Sequence, residues 1–169
     1  MPTSPAAQAA QISAAYYGAL VTGAAKTLPA STSGDIFTVT GGRVIVTSIT
    51  GVVTTAIQNQ ACTLSVGHKP AGGSSQVATL ATATSIINFA LGSSVAVPPF
   101  SAGSPAALAV IAPTTVVPGT DLGVVVTSGG IALVPAGTIQ VTTSATNTGA
   151  ITYTITWVPY DAGAVVTAA

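Results

Sequence analysis

Two side chains in this sequence have the types that nucleophilic chemistry uses, Cys62 and His68. A thiol and an imidazole work together only within hydrogen-bond reach. Six positions apart on an extended strand, they share a face but stand about 20 Å from each other. Cys62 therefore reads as a small buried hydrophobe. His68, at a strand end before the loop GHKPAGGSS (Gly67–Ser75), reads as an exposed loop histidine. The carboxylates Asp35, Asp121 and Asp161 are isolated from one another, and there is no Glu to pair with them. Acid–base work needs a positioned His or two carboxylates together. Each Asp adjoins turn residues, where side-chain-to-backbone bonds are the expected use. No Cys-X-X-Cys, His-X-His or EF-hand spacing occurs, so one chain holds no metal motif. Only a cyclic trimer, tripling His68 or an Asp beside its axis, would supply enough ligands. Gly41–Gly42 and Gly129–Gly130 lack the Lys and the following helix of a phosphate cradle, and read as hairpin turns. These residues predict a protein that is not an enzyme and carries no cofactor.

The elements that would position these residues are strands. The clearest signal is TIQVTTSATNTGAITYTITWV, Thr138–Val158. Ile151, Tyr153, Ile155 and Trp157 alternate with Thr152, Thr154 and Thr156, which is the period of two of a half-buried strand. Ile139 and Val141 alternate likewise with Thr138, Gln140 and Thr142. With Asn147 and Gly149 between them, the two arms read as one antiparallel hairpin. Upstream, Ile36–Thr40 is a strand. Val44–Ile49 reads as buried on both faces and continues through Val52–Ile57 past a bulge at Gly51. Ala61–Val66 alternates. Gln76–Leu91 shows no clear period. Ser93–Ser104 reads as an extended loop anchored by Phe100. Ala106–Ile111, Leu122–Thr127 and Ile131–Val134 are short apolar runs.

This spacing predicts an all-β fold, a jelly-roll-like sandwich or small barrel of roughly eight to ten short strands, with an N-terminal extension. Residues 1–33, rich in Ala, Ser and Gln, form the extension. Ala6–Leu20 has a helix signal in Ser4 and Pro5. The extension is expected to be either flexible or ordered on a partner through Tyr16 and Tyr17. The β-domain spans 34–161, and 162–169 is a frayed tail.

Only 4% of the 169 residues are charged, against about 25% in ordinary domains. With net charge zero, the chain lacks the basic field that nucleic acid or an anionic membrane surface would require. The mean hydropathy is high, but Thr, Ser, Gly and Pro interrupt every apolar run before about 18 residues, so no spanning helix is expected. No basic stretch precedes an apolar one at the N-terminus, so no export signal is read. One Cys allows no internal disulfide. Soluble sheets commonly guard their edges with Lys or inward charges, and Lys26, Arg43 and Lys69 cannot guard many. Near-zero charge also favours association. An obligate assembly is therefore expected.

The opening SGDIFTVTGGRVIVTSITGVVTTAIQNQACTLSV and the closing PAGTIQVTTSATNTGAITYTITWVPYDAGA resemble small structural proteins of tailed bacteriophages. Several of these are capsid cement or decoration proteins. TVTGG, ATNTGAI and the Trp-Val-Pro-Tyr close carry the likeness, over residues 34–66 and 135–164. It implies a virion protein made in the host cytoplasm and seated on the capsid surface, a homotrimer whose partner is the major capsid protein. Tyr16, Tyr17 and Phe100 are the candidate contact residues. A phage tail or fibre component is the alternative location. A secreted Thr/Ala-rich surface binder, an adhesin or ice-binding protein, is the alternative class.

Overall fold

The computed structural model describes residues 18–76, 78–97, 109–111 and 132–169, the third of these stretches by its backbone. Eleven strands are present among the described residues: β1 Ala19–Thr27, β2 Ser33–Thr40, β3 Val44–Thr55, β4 Thr63–Pro70, β5 Ala78–Ser85, β6 Ser94–Val97, β7 Ala109–Ile111, β8 Ala132–Val134, β9 Gly137–Thr143, β10 Ala150–Pro159 and β11 Val165–Ala168. They form two antiparallel sheets. One runs β1-β10-β3-β6-β7, with β8 also paired to β3; the other runs β11-β2-β9-β4-β5. The all-β expectation holds. The sheets face each other as a sandwich and do not close into a barrel.

Thr138–Val158 is not a hairpin. Its two arms, β9 and β10, lie in opposite sheets. Both arms alternate because each has one face toward a core, and alternation is silent on whether two such faces lie side by side or opposed. The six-residue connector 144–149 is long enough to cross the ~10 Å between stacked sheets. Gly41–Gly42 is also no hairpin turn, since β2 and β3 belong to different sheets. Most consecutive strands change sheet, and only β4–β5 and β6–β7 pair with their chain neighbours.

The inner faces supply the core. Phe37, Ile139 and His68 form one cross-strand row over β2, β9 and β4. Opposite stand Ile151, Tyr153, Ile155 and Trp157 of β10, with Val46, Ile49 and Val53 of β3. β3 is not buried on both faces. It alternates, and its phase slips at Thr47, where the pairing Thr156–Ser48 is followed by Trp157–Val46. The bulge expected at Gly51 lies there instead. Gly51 stays in register with Tyr153 for a different reason: a Cβ would come within 2.8 Å of methyl groups of Ile151 and Val95.

Both predicted termini of the domain move outward. Residues 19–27 are not an arm but β1, paired along β10 from Trp157 to Ala150. The extra residue at Gly23–Ala24 breaks its period of two, which hides the strand from a pattern reading. Of the helix signal Ala6–Leu20, Ala19 and Leu20 begin this strand; residues 1–17 lie outside the described residues. The tail is not frayed, since β11 pairs with Phe37–Thr40 of β2 and buries Val166. Four residues are too few for periodicity to show. β6 likewise occupies part of the expected loop Ser93–Ser104.

Candidate functional surface

The residues best suited to chemistry do not meet. Cys62 is buried as expected, its thiol donating to the Ala145 carbonyl at 3.4 Å. His68 overturns its expectation: it is a strand residue with 2% of its surface exposed. Facing the sandwich interior, it cannot serve as a ligand on a subunit axis. Burial lowers its pKa, opposed by a hydrogen bond to the Pro135 carbonyl, so the surroundings favour the neutral ring. Asp35 is no turn residue either; it lies within β2 and accepts from the Gln140 side chain across the β2–β9 pairing. Asp121 and the Leu122–Thr127 strand lie outside the described residues, as do Tyr16, Tyr17 and Phe100.

Asp161 does anchor a turn, in company the sequence did not suggest. Its carboxylate accepts from the Arg43 backbone N–H (2.8 Å), Arg43 Nε (2.8 Å) and Arg43 Nη2 (2.7 Å). The guanidinium also sits 4.6 Å from the centre of the Tyr160 ring. This cluster ties the β2–β3 corner to the β10–β11 corner. The Arg43 hydrogen bonds hold the Asp161 pKa at about 2, below its ordinary 3.8. A lowered carboxylate pKa stabilises the fold above 3.8, and that contribution is lost as pH falls through about 2. Asp161→Asn is therefore expected to be less stable than the parent at pH 6. The difference should shrink between pH 4 and pH 2 when urea midpoints are compared. A constant difference across that range would show that the carboxylate charge contributes nothing.

Among the described residues, no group of three His, Cys, Asp or Glu could hold a metal ion. The cavity between Ile49, Leu64, Val66, Val95, Val97 and Tyr153 measures about 10 Å³, at the lower limit for a single water. Its lining is apolar, which disfavours even that. That cavity has no room for a small substrate. No described helix is long and apolar enough to cross a membrane.

What remains is surface, and one face stands out. Thr152, Thr154, Thr156 and Val158 of β10 point outward from the first sheet, away from the core. Register places Ala25, Thr22 and Leu20 of β1 beside the first three. On the other side stand Val52, Thr50, Ser48 and Ile45 of β3, then Ser94 and Ala96 of β6 and Leu133 of β8. The Thr22 and Thr154 hydroxyls are 3.1 Å apart and hydrogen-bonded. Leu20 is 67% exposed, Val52 46% and Leu133 49%. None of these outward positions is ionisable. The ionic side chains among the described residues lie elsewhere: Asp35 and Lys69 on the second sheet, Arg43 and Asp161 at the corner, and Lys26 on β1 bonded to the Ala169 carbonyl.

Among the described edge strands, only β1 carries a charge, Lys26. β1 also carries a bulge and β5 two register shifts, while β11 has four residues. Bulged and short edge strands resist edge-to-edge pairing as Lys does.

No family model, no curated protein and no solved structure matches this chain.

Proposed function

We propose that this chain is a structural protein of a bacteriophage particle, a capsid decoration protein that attaches through the outer face of the β1-β10-β3-β6 sheet. The observation that carries the reading is the absence of ionisable side chains from the described outward positions of that face, which also displays Leu20 and Val52, with Leu133 of β8 beside them. Burial of a few hundred Å² of such surface, at ~25 cal/mol per Å², contributes several kcal/mol before association costs. Exposed ion pairs contribute only about 0–1 kcal/mol each, and the described surface offers one, Arg43–Asp161. The partner is then the major capsid protein, with further copies of this chain beside it as a homotrimer. The likeness to phage structural proteins in TVTGG, ATNTGAI and the Trp-Val-Pro-Tyr close supports the same reading.

Burial of uncharged surface is insensitive to screening. Purified protein added to capsids stripped of it is expected to stay bound through a 1 M salt wash (roughly a 3 Å screening length). Val52→Asp, which places a charge within the face, should abolish retention, while Thr167→Lys on β11 of the other sheet should leave it intact. Release by salt, or full retention of the Val52→Asp variant, would overturn the reading. Antibody label over the tail of intact particles would assign the protein there instead.

A second reading has one observation in its favour. The Thr152–Thr154–Thr156 ladder widens into a two-dimensional array through Thr22, Thr50 and Ser48. Such hydroxyl–methyl arrays suit a binder of extended solid surfaces, ice among them. An ice-recrystallisation assay separates the two, since a decoration protein should leave crystal growth unchanged.

A further inference from the structure

We infer that His68 is an acid-sensitive latch that fastens the β8–β9 link, and that its protonation releases this corner of the sandwich. This inference does not depend on which particle or surface the protein binds.

The link is Pro135–Ala136, two residues that carry the chain from β8 in one sheet to β9 in the other. Two hydrogen bonds hold it to the other sheet. A ring N–H of His68 donates to the Pro135 carbonyl, and the Ala71 backbone N–H donates to the Ala136 carbonyl at 2.9 Å. Nε2 of His68 is buried and has no partner, so the bond to Pro135 belongs to Nδ1. That assigns the neutral tautomer with the proton on Nδ1 and a bare Nε2. Room for the ring exists because Gly137 has no side chain; a Cβ there would stand 2.7 Å from Nε2.

A second proton on Nε2 would be a buried donor with no acceptor, on a cation removed from water. Among the described residues of the strands around it, no opposite charge relieves this; Tyr153 of β10 is a neutral phenol. β5 (ATLATATS), β8 (ALV) and β9 (GTIQVTT) carry no ionisable side chain. Lys69 follows His68 on β4 and alternates to the opposite face, and it is a cation in any case. Asp35 on β2 is exposed and bound to Gln140. At the start of β3, Arg43 is paired to Asp161. Among the described residues, no carboxylate faces the ring. The proton is therefore accepted more readily once the ring swings into water, and acid favours the open corner. The sign follows from the direction of the shift. A histidine lowered in the closed state loses stability as pH falls below the open-state value of 6.5, and not above it.

The chain suits a clean test because His68 is its only histidine and it has no Glu; apart from terminal groups, no other side chain ordinarily titrates between pH 5 and 7. Amide hydrogen exchange of the unmodified protein is the measurement, with rates normalised to the intrinsic rate at each pH. The Ala71 amide is expected to lose protection between pH 7.5 and pH 5.5, by at most about tenfold, while the Ile155 amide in the core keeps its protection. His68→Gln, neutral throughout, should show no such loss at Ala71. Constant protection at Ala71 in the unmodified protein, an equal loss at Ile155, or an unchanged loss in a folded His68→Gln variant would each overturn the latch. If the variant does not fold, the comparison of Ala71 with Ile155 in the unmodified protein still decides.

Discussion

Gly137→Ala is expected to destabilise the fold by about 3–5 kcal/mol, near the top of what single substitutions cost. Gly137 has φ +149°, a conformation that L side chains rarely adopt. A Cβ there would stand 2.2 Å from the Lys69 carbonyl oxygen and 2.8 Å from Pro70 Cα. Both are backbone atoms of β4, the strand that pairs with β9 through seven consecutive positions from Leu64 to Pro70. They can give way only by pulling the two central strands of the sheet apart. Urea unfolding followed by the fluorescence of Trp157, the only Trp and 7% exposed, measures the loss. Gly72→Ala is the internal control. Gly72 also has positive φ, +75°, but nothing lies within 4 Å of its Cβ position. It should lose only the conformational part, about 1 kcal/mol. Equal losses at the two sites would mean that the steric contact with β4 is not felt.

Phe37→Ala is expected to lose a further kind of stability, about 3–5 kcal/mol through lost burial and the cavity left behind. Phe37 is fully buried on β2 and lies in the row Phe37–Ile139–His68. It also pairs with Ala168 of β11, so its loss removes packing on which the last strand depends. For a domain with the usual 5–15 kcal/mol of stability, this approaches the whole margin. The denaturation midpoint should fall while its slope is unchanged, since the surface exposed on unfolding is nearly the same. Phe37→Leu should recover most of the loss. A drop below about 1 kcal/mol for the Ala variant would mean that the two sheets close over the missing ring.

How the sequence misleads is as informative as where it succeeds. Alternation in β4, β9 and β10 identified the inward faces correctly: Cys62, Leu64, Val66, Ile139, Val141, Ile151, Tyr153, Ile155 and Trp157 are all buried. β1 and β3 were obscured by bulges, because one inserted residue reverses every later side chain. His68 was misplaced because a Gly–His–Lys–Pro run reads as a loop, and only the β4–β9 and β4–β5 pairings extend the strand through it. The Arg43–Asp161–Tyr160 cluster joins positions 118 apart in the chain, a separation no local pattern spans.

By itself, the sequence determined the fold class: period-two alternation with one apolar face demands strands. The tertiary structure decided which strands are neighbours. β9 and β10 have equivalent patterns, yet one joins each sheet, because opposed apolar faces bury each other while side-by-side strands would leave both exposed. That same choice turned Thr152, Thr154 and Thr156 outward together with Val52 and Leu20, making one uncharged face from residues as far apart in the chain as Leu20 and Thr156.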